Sequence, residues 1–212
     1  MLMSVADSMG FKVNTFTHIL EGYKVADRMR KHGASASTFS DWWAYKFEVY
    51  DAIPYNAALL HEHGVNTGIN SDDAEMSRRL NQEAAKAVKY GGVAPAEAWK
   101  MVTLNPARML KLDHRIGSVA PGMDADIVLW SSDPLGIDAR VLKTYVDGVC
   151  YYDEVQDLAQ RSVLLADRDR IVRAMVQAKG EGAPVRKARR DQPRLWHCDD
   201  LGEETGMDHD AD

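Results

Sequence analysis

The sequence has only two cysteines, Cys150 and Cys198, too few for a disulfide framework. It also lacks any apolar run near the ~20 residues that span a bilayer, so no transmembrane helix is expected. Positive charge is not in excess. With 26 Lys and Arg against 32 Asp and Glu, the net charge is −6, which argues against general nucleic-acid binding. The first ten residues lack a basic n-region and carry Asp7 inside the apolar part, so they are not a signal peptide, and the cytoplasm is the default location. They are expected to be the tail of a helix ended by Gly10 in the left-handed conformation, with an earlier portion missing. No histidine–x–histidine pair stands on a strand-like run, so one familiar way of holding a metal at a strand end is missing.

What remains is an ordinary globular composition, 45% hydrophobic and 27% charged, in 212 residues that can bury a real core. Residues 11–92 form a series of strand–helix units. Phe11–His18, Ala34–Phe39 and Val65–Ser71 are expected strands. Leu20–Lys31, with Tyr23, Val25, Ala26 and Met29 facing inward, Asn56–His63 and Ala74–Tyr90 are expected helices. This alternation implies parallel pairing and an α/β fold. Between them, Ser40–Pro54 is a long link rich in aromatics (Trp42, Trp43, Tyr45, Phe47, Tyr50), and links of that length usually carry function.

From Val93 the texture changes. Ala94–Thr103 is an expected helix with Pro95 in its first turn, and a second start follows at Asn105-Pro106. Ala125–Trp130 is an expected buried strand. Asp147-Gly148 between Lys143–Val146 and Val149–Tyr152 is a strong hairpin signal. Asp153–Lys179 is expected to be a charged amphipathic helix, and the polar residues 180–212 a disordered or loosely docked tail. The expected domains are 1–112, 113–153, the helix 154–179 and the tail.

Two polar residues end strand-like runs: His18 after Val13–Thr17, and Asp72 after Val65–Ser71. Side chains at the C-terminal ends of parallel strands can converge over one opening, as ligands or base around a metal. Asp72 suits proton transfer at a metal-bound water; the plainer reading makes Ser71, Asp72 or Asp73 the N-cap of the following helix. His18 could bind a metal or hydrogen-bond a carbonyl, or be a hydrogen-bonded structural residue. Tyr23, Lys24 and Trp42 are candidate substrate contacts, and Trp42 and Trp43 could equally pack as core under the long loop. Arg186–Arg194 is a short basic patch offset by later acidic residues. His197, Cys198, Asp199 and His209 match no standard metal spacing.

Four segments resemble the amidohydrolase superfamily, in particular its imidazolonepropionase-like branch. They are Thr17-His18-Ile19-Leu20-Glu21-Gly22-Tyr23-Lys24, Asn70-Ser71-Asp72-Asp73, Thr103-Leu104-Asn105-Pro106-Ala107, and Gly117-Ser118 through Pro121-Gly122 to Asp124-Ala125-Asp126. The resemblance covers roughly residues 1–153. It implies the C-terminal portion of a (β/α)8 TIM-type barrel, with His18 ending strand 6, Ala34–Phe39 as strand 7 and Asp72 ending strand 8. The β segments after Ile116 would then belong to a small β-sandwich. It further implies metal-dependent hydrolysis, with zinc as the divalent metal, His18 and Asp72 as ligands, and Asp72 as catalytic base. The substrate would be a small molecule with a non-peptide carbon–nitrogen bond, in an amide or cyclic amide, or dipeptide-like. Counterparts of strands 1–5, with their His-x-His motif, are not in this sequence. The chain is therefore expected to be a truncated enzyme, or alternatively a non-catalytic remnant or one half of a split protein. The expected partner is a complementing N-terminal chain or another copy.

Overall fold

The computed structural model describes residues 1–44, 46–73, 75–184 and 186. The basic patch, the His197–Asp199 and His209 cluster and most of the expected tail lie outside the described residues. Residues Met1–Arg161 form one compact unit, and Ser162–Asp212 are a second. No described helix is long and apolar enough to cross a membrane.

The first unit begins with α1 (Leu2–Met9), which ends as expected at Gly10, φ 76°. There the amide of Phe11 reaches back to the carbonyl of Ala6. Then come β1 (Thr15–Phe16), α2 (Ala26–His32), β2 (Ser35–Thr38), α3 (Asn56–Glu62), β3 (Thr67–Ile69) and α4 (Leu80–Gly91). The three strands form one parallel sheet in the order β1-β2-β3, so the chain is α/β with each crossover carried by a helix. The strands are shorter than the apolar runs that announced them, because a residue counts as strand only where a neighbour completes its ladder. Two expected helices are also shorter: both Leu20–Lys31 and Ala74–Tyr90 open with a 3-10 turn, Gly22–Val25 and Met76–Arg79. Val25, expected to face inward, is 40% exposed, because that tighter turn rotates it away from the core that takes Ala26 and Met29.

The core has two clusters of buried residues. Met3, Ala26, Met29, Ala34, Ala36, Leu60 and Val65 form one; Ala57, Ala58, Ile69, Ala87, Val93, Ala98 and Met101 form the other. Alanines predominate, which lets helices approach the sheet and one another closely.

α5 (Pro95–Lys100) and α6 (Leu104–Met109) follow α4 and cover the outer edge of β3. The amide of Ile69 donates to the Met101 carbonyl (2.9 Å), and Asn105 Nδ2 donates to the Thr67 carbonyl (2.8 Å). The Thr-x-Asn-Pro-Ala segment thus works as an edge clamp. β1, at the other side of the sheet, pairs with β2 alone among the described residues.

A second sheet is antiparallel: β4 (Ile127–Trp130), β5 (Val141–Val146) and β6 (Val149–Asp153). Its hairpin turns at Asp147 and Gly148, both with positive φ (49° and 77°), as a two-residue primed turn requires. The Asp124-Ala125-Asp126 segment holds that turn, since the Gly148 amide donates to the Ala125 carbonyl and the Asp147 amide to Asp126 Oδ1. The expectation of a buried strand at Ala125–Trp130 fails. Val128 and Leu129, on opposite faces, are 40% and 45% exposed, and Ile127 and Trp130 are only half-buried, so no residue of the strand is fully covered.

α7 (Glu154–Gly180) starts where Asp153 Oδ1 accepts the amides of Val155 and Gln156. It has no buried residue and no apolar stripe free of charge. Arg161 and Arg168 fall on the same side as Leu164 and Ile171, which corrects the amphipathic reading.

Candidate functional site

The C-terminal ends of β1 and β3 are tied to the central strand. The Ile19 amide donates to the Ser37 carbonyl (3.2 Å) just past β1, and the Asn70 amide donates to the Thr38 carbonyl (3.0 Å) just past β3. Adjacent parallel strands lie ~4.8 Å apart, so the two chain ends stand about 10 Å from each other across β2. His18 and Asp72 span that gap: His18 Nε2 is 3.2 Å from Asp72 Oδ2. The two side chains therefore meet at the C-terminal rim of the sheet. Their side chains are 37% and 46% exposed, so the contact is solvated and contributes little to stability.

Local geometry explains how each side chain is aimed. His18 is in the left-handed region, φ 54°, which turns its imidazole off the line of β1. Its ring packs against Phe39 (centroids 5.3 Å), and Phe39 stacks on Trp42 (4.8 Å, 10° between planes). Asp73, not Asp72, makes the turn that starts the next helical segment. Asp73 Oδ1 accepts the amides of Glu75 and Met76, both at 2.8 Å. The capping task is thereby taken by the neighbour, and the Asp72 carboxylate reaches His18.

The candidate substrate contacts divide. Trp42 belongs to the aromatic stack that begins on His18, half-buried rather than core, while Trp43 is 45% exposed. Tyr23 and Lys24 are engaged with the long loop instead. Tyr23 Oη donates to the Asp51 carbonyl (3.0 Å), and Lys24 is ion-paired to Asp51 and Glu21. Asp51, then Glu21, hold the Lys24 ammonium far above its ordinary value. These contacts tie the segment after β1 to the loop after β2.

Two sets of residues escaped the sequence reading. Asn56, 1% exposed, joins the segment after β1 to the end of β2. On α4, Lys86 bridges Glu83 (2.9 Å) and Asp41 (2.8 Å), and Ser40 Oγ also hydrogen-bonds Glu83. Burial pulls the Lys86 pKa down, but the hydrogen bonds it donates to Asp41 and Glu83 outweigh that and leave it raised. The network fixes Ser40-Asp41, and with them the start of the loop that carries Trp42. The sequence's one histidine–x–histidine, His61-Glu62-His63, lies at the end of α3, where His63 pairs with Asp27 (2.8 Å).

An imidazole nitrogen and a carboxylate oxygen are suitable donors for a divalent cation. A catalytic zinc takes three protein ligands, however. Among the described residues no group of three or more His, Cys, Asp or Glu side chains could hold a metal. His18 and Asp72 alone do not fit a complete centre.

Residues 54–158 match the amidohydrolase family model. The chain is 30% identical over 167 residues to the amidohydrolase tasK of Hapsidospora irregularis, covering 76% of this chain and 17% of that protein. It is 36% identical over 85 residues to adenine deaminase 1 of Carboxydothermus hydrogenoformans, covering 40% of this chain and 13% of the relative. The crystal structure of an amidohydrolase from Thermotoga maritima superposes with a TM-score of 0.65 at 29% identity, over 72% of this chain and 40% of that one. The chain belongs to the amidohydrolase superfamily. It spans well under half the length of each of these relatives.

Proposed function

We propose that this chain carries the His18- and Asp72-bearing part of a hydrolase that cleaves non-peptide carbon–nitrogen bonds in small amides or cyclic amides. The observation that carries this reading is the 3.2 Å approach of His18 Nε2 to Asp72 Oδ2 at the ends of two parallel strands separated by a third. In it, β1, β2 and β3 are strands 6, 7 and 8 of a barrel, and β4–β6 are part of its flanking β-sandwich. Zinc held by His18 and Asp72 together with further ligands would supply an activated water. Asp72 removes a proton from the attacking water and returns it to the leaving amine, for which a carboxylate open to solvent is suited. His18 hydrogen-bonds the substrate carbonyl or serves as one ligand, and Trp42 walls the opening.

Because two donors fall short of a site, the remaining ligands in this reading come from outside the described residues, in a longer form of the protein or a complementing chain. The unpaired side of β1 supports that view, since an edge strand is where a further strand adds. The test is a zinc titration of the purified chain, followed by calorimetry. Expected is weak binding that His18→Ala and Asp72→Ala weaken further, with no useful amide hydrolysis. Stoichiometric, tight zinc in the isolated chain, lost in either variant, overturns the claim that the site is shared.

A further inference from the structure

We propose that Asn56 is the positioning residue of this site, the group that sets the His18–Asp72 geometry without touching either side chain. This deepens the reading of His18 and Asp72 as a working pair and rests on it. Asn56 opens α3 and is 1% exposed. Its amide makes three hydrogen bonds to three places in the chain. Nδ2 donates to the Ile19 carbonyl (2.8 Å) and to Thr38 Oγ1 (2.9 Å), and Oδ1 accepts the Tyr23 amide (2.8 Å).

The bond to Ile19 is the informative one. His18 has a positive φ, a conformation that a residue with a side chain keeps only when its surroundings hold it. The residue next to it is held at both polar groups: the Ile19 amide by the Ser37 carbonyl of β2, and the Ile19 carbonyl by Asn56 (2.8 Å), with the Gly22 amide a longer second donor (3.3 Å). Asn56 also binds Thr38, whose own carbonyl receives the Asn70 amide two residues before Asp72. One buried side chain therefore joins the segments that carry both members of the pair. The donor set is specific to asparagine. An aspartate can accept from Tyr23 but has no proton for Ile19 or Thr38, and a glutamine places the same amide one carbon too far.

The test reads the geometry directly, by long-range nitrogen–proton NMR of the His18 imidazole, assigned with His18→Gln. In the otherwise native chain, Asp72→Asn moves the His18 Nε2 resonance, because its hydrogen-bond partner changes. In Asn56→Ala that response to Asp72→Asn falls roughly twofold or more, since hydrogen bonds weaken steeply as their alignment is lost. Thr38→Val removes one anchor of Asn56 and is expected to act in the same direction; Thr38→Ser restores the full response. If Asn56→Ala does not fold, the Thr38 pair carries the test. Val93→Ala, a cavity in the second core cluster, controls for loss of stability alone and keeps the response. An undiminished response in the folded Asn56 or Thr38 variant, or an equal loss in Val93→Ala, overturns the proposal. Failure to bind zinc or to hydrolyse an amide bears on the function above and leaves this measurement untouched.

Discussion

Replacing Lys86 by Met strands two carboxylates. Glu83 and Asp41 have side chains only 8% and 20% exposed, and Lys86, at 26%, is the cation between them. Removing one partner of a fully buried pair costs about 3–5 kcal/mol, chiefly because the other charge is left unpaired. This cluster is partly solvated, so about 2–3 kcal/mol is expected here. At about 2–4 °C per kcal/mol for a domain of this size, Tm falls by about 4–12 °C. Urea unfolding followed by circular dichroism measures the free-energy loss, and thermal melts the shift in Tm. Adding Glu83→Gln to Lys86→Met should recover about 1 kcal/mol or more, since the neutral amide needs no counter-charge and can still accept from Ser40. The pH dependence has a definite sign. The folded pKa of Lys86 lies above the ordinary value of 10.5, so its stabilisation is complete below that value. It fades only as pH rises through the higher folded value, and the Lys86→Met deficit should be flat from about pH 6 to about pH 9. A loss below about 0.5 kcal/mol would mean the cluster behaves as a solvated surface pair and the reasoning is wrong.

Gly91→Ala should destabilise by about 1–3 kcal/mol through overpacking, because a Cβ there would lie 2.0 Å from the Ala58 Cβ. Ala58→Gly in the same chain should return most of the loss, and thermal melts of the single and double variants decide it. At the first helix, Asp7 is held below its ordinary 3.8 by the hydrogen bond from Lys12, which outweighs the opposing desolvation, with His32 adding to it. Its contribution is therefore present above about pH 4 and is lost as pH falls through the folded value, so the gap in urea midpoint between wild type and Asp7→Asn should close on acidification. A gap that widens towards low pH refutes that assignment.

His18 and Asp72 were legible because they follow short apolar runs, and in a parallel sheet every such position falls on the same rim. The division of labour between Asp72 and Asp73 could be anticipated, since only one of two adjacent carboxylates can turn back to cap. Asn56 could not. It looks like any polar residue at a helix start, and its partners Ile19, Tyr23 and Thr38 lie far away in sequence, where no periodicity points. Lys86 and Glu83 were hidden in the same way: on a helix they form an ordinary i, i+3 pair, and only the fold brings Asp41 to them. The exposure of Val128 and Leu129 was illegible for another reason. An apolar run tells that a segment favours burial, not whether a second layer exists to bury it.

The two sides of the parallel sheet differ, and that difference constrains assembly. With the β3 side occupied by Met101 and Asn105, the sheet side open to a further strand among the described residues is that of β1. Two copies of this chain continuing the sheet there about a two-fold axis perpendicular to the strands would pair β1 with β1 antiparallel, because such an axis reverses strand direction. Their strand ends would then point to opposite rims, and their two His18–Asp72 pairs would sit at opposite ends of a six-stranded sheet. A symmetric dimer through this edge cannot pool four donors around one ion. A different strand running parallel to β1 would instead present its C-terminal end at the rim where His18 and Asp72 already stand.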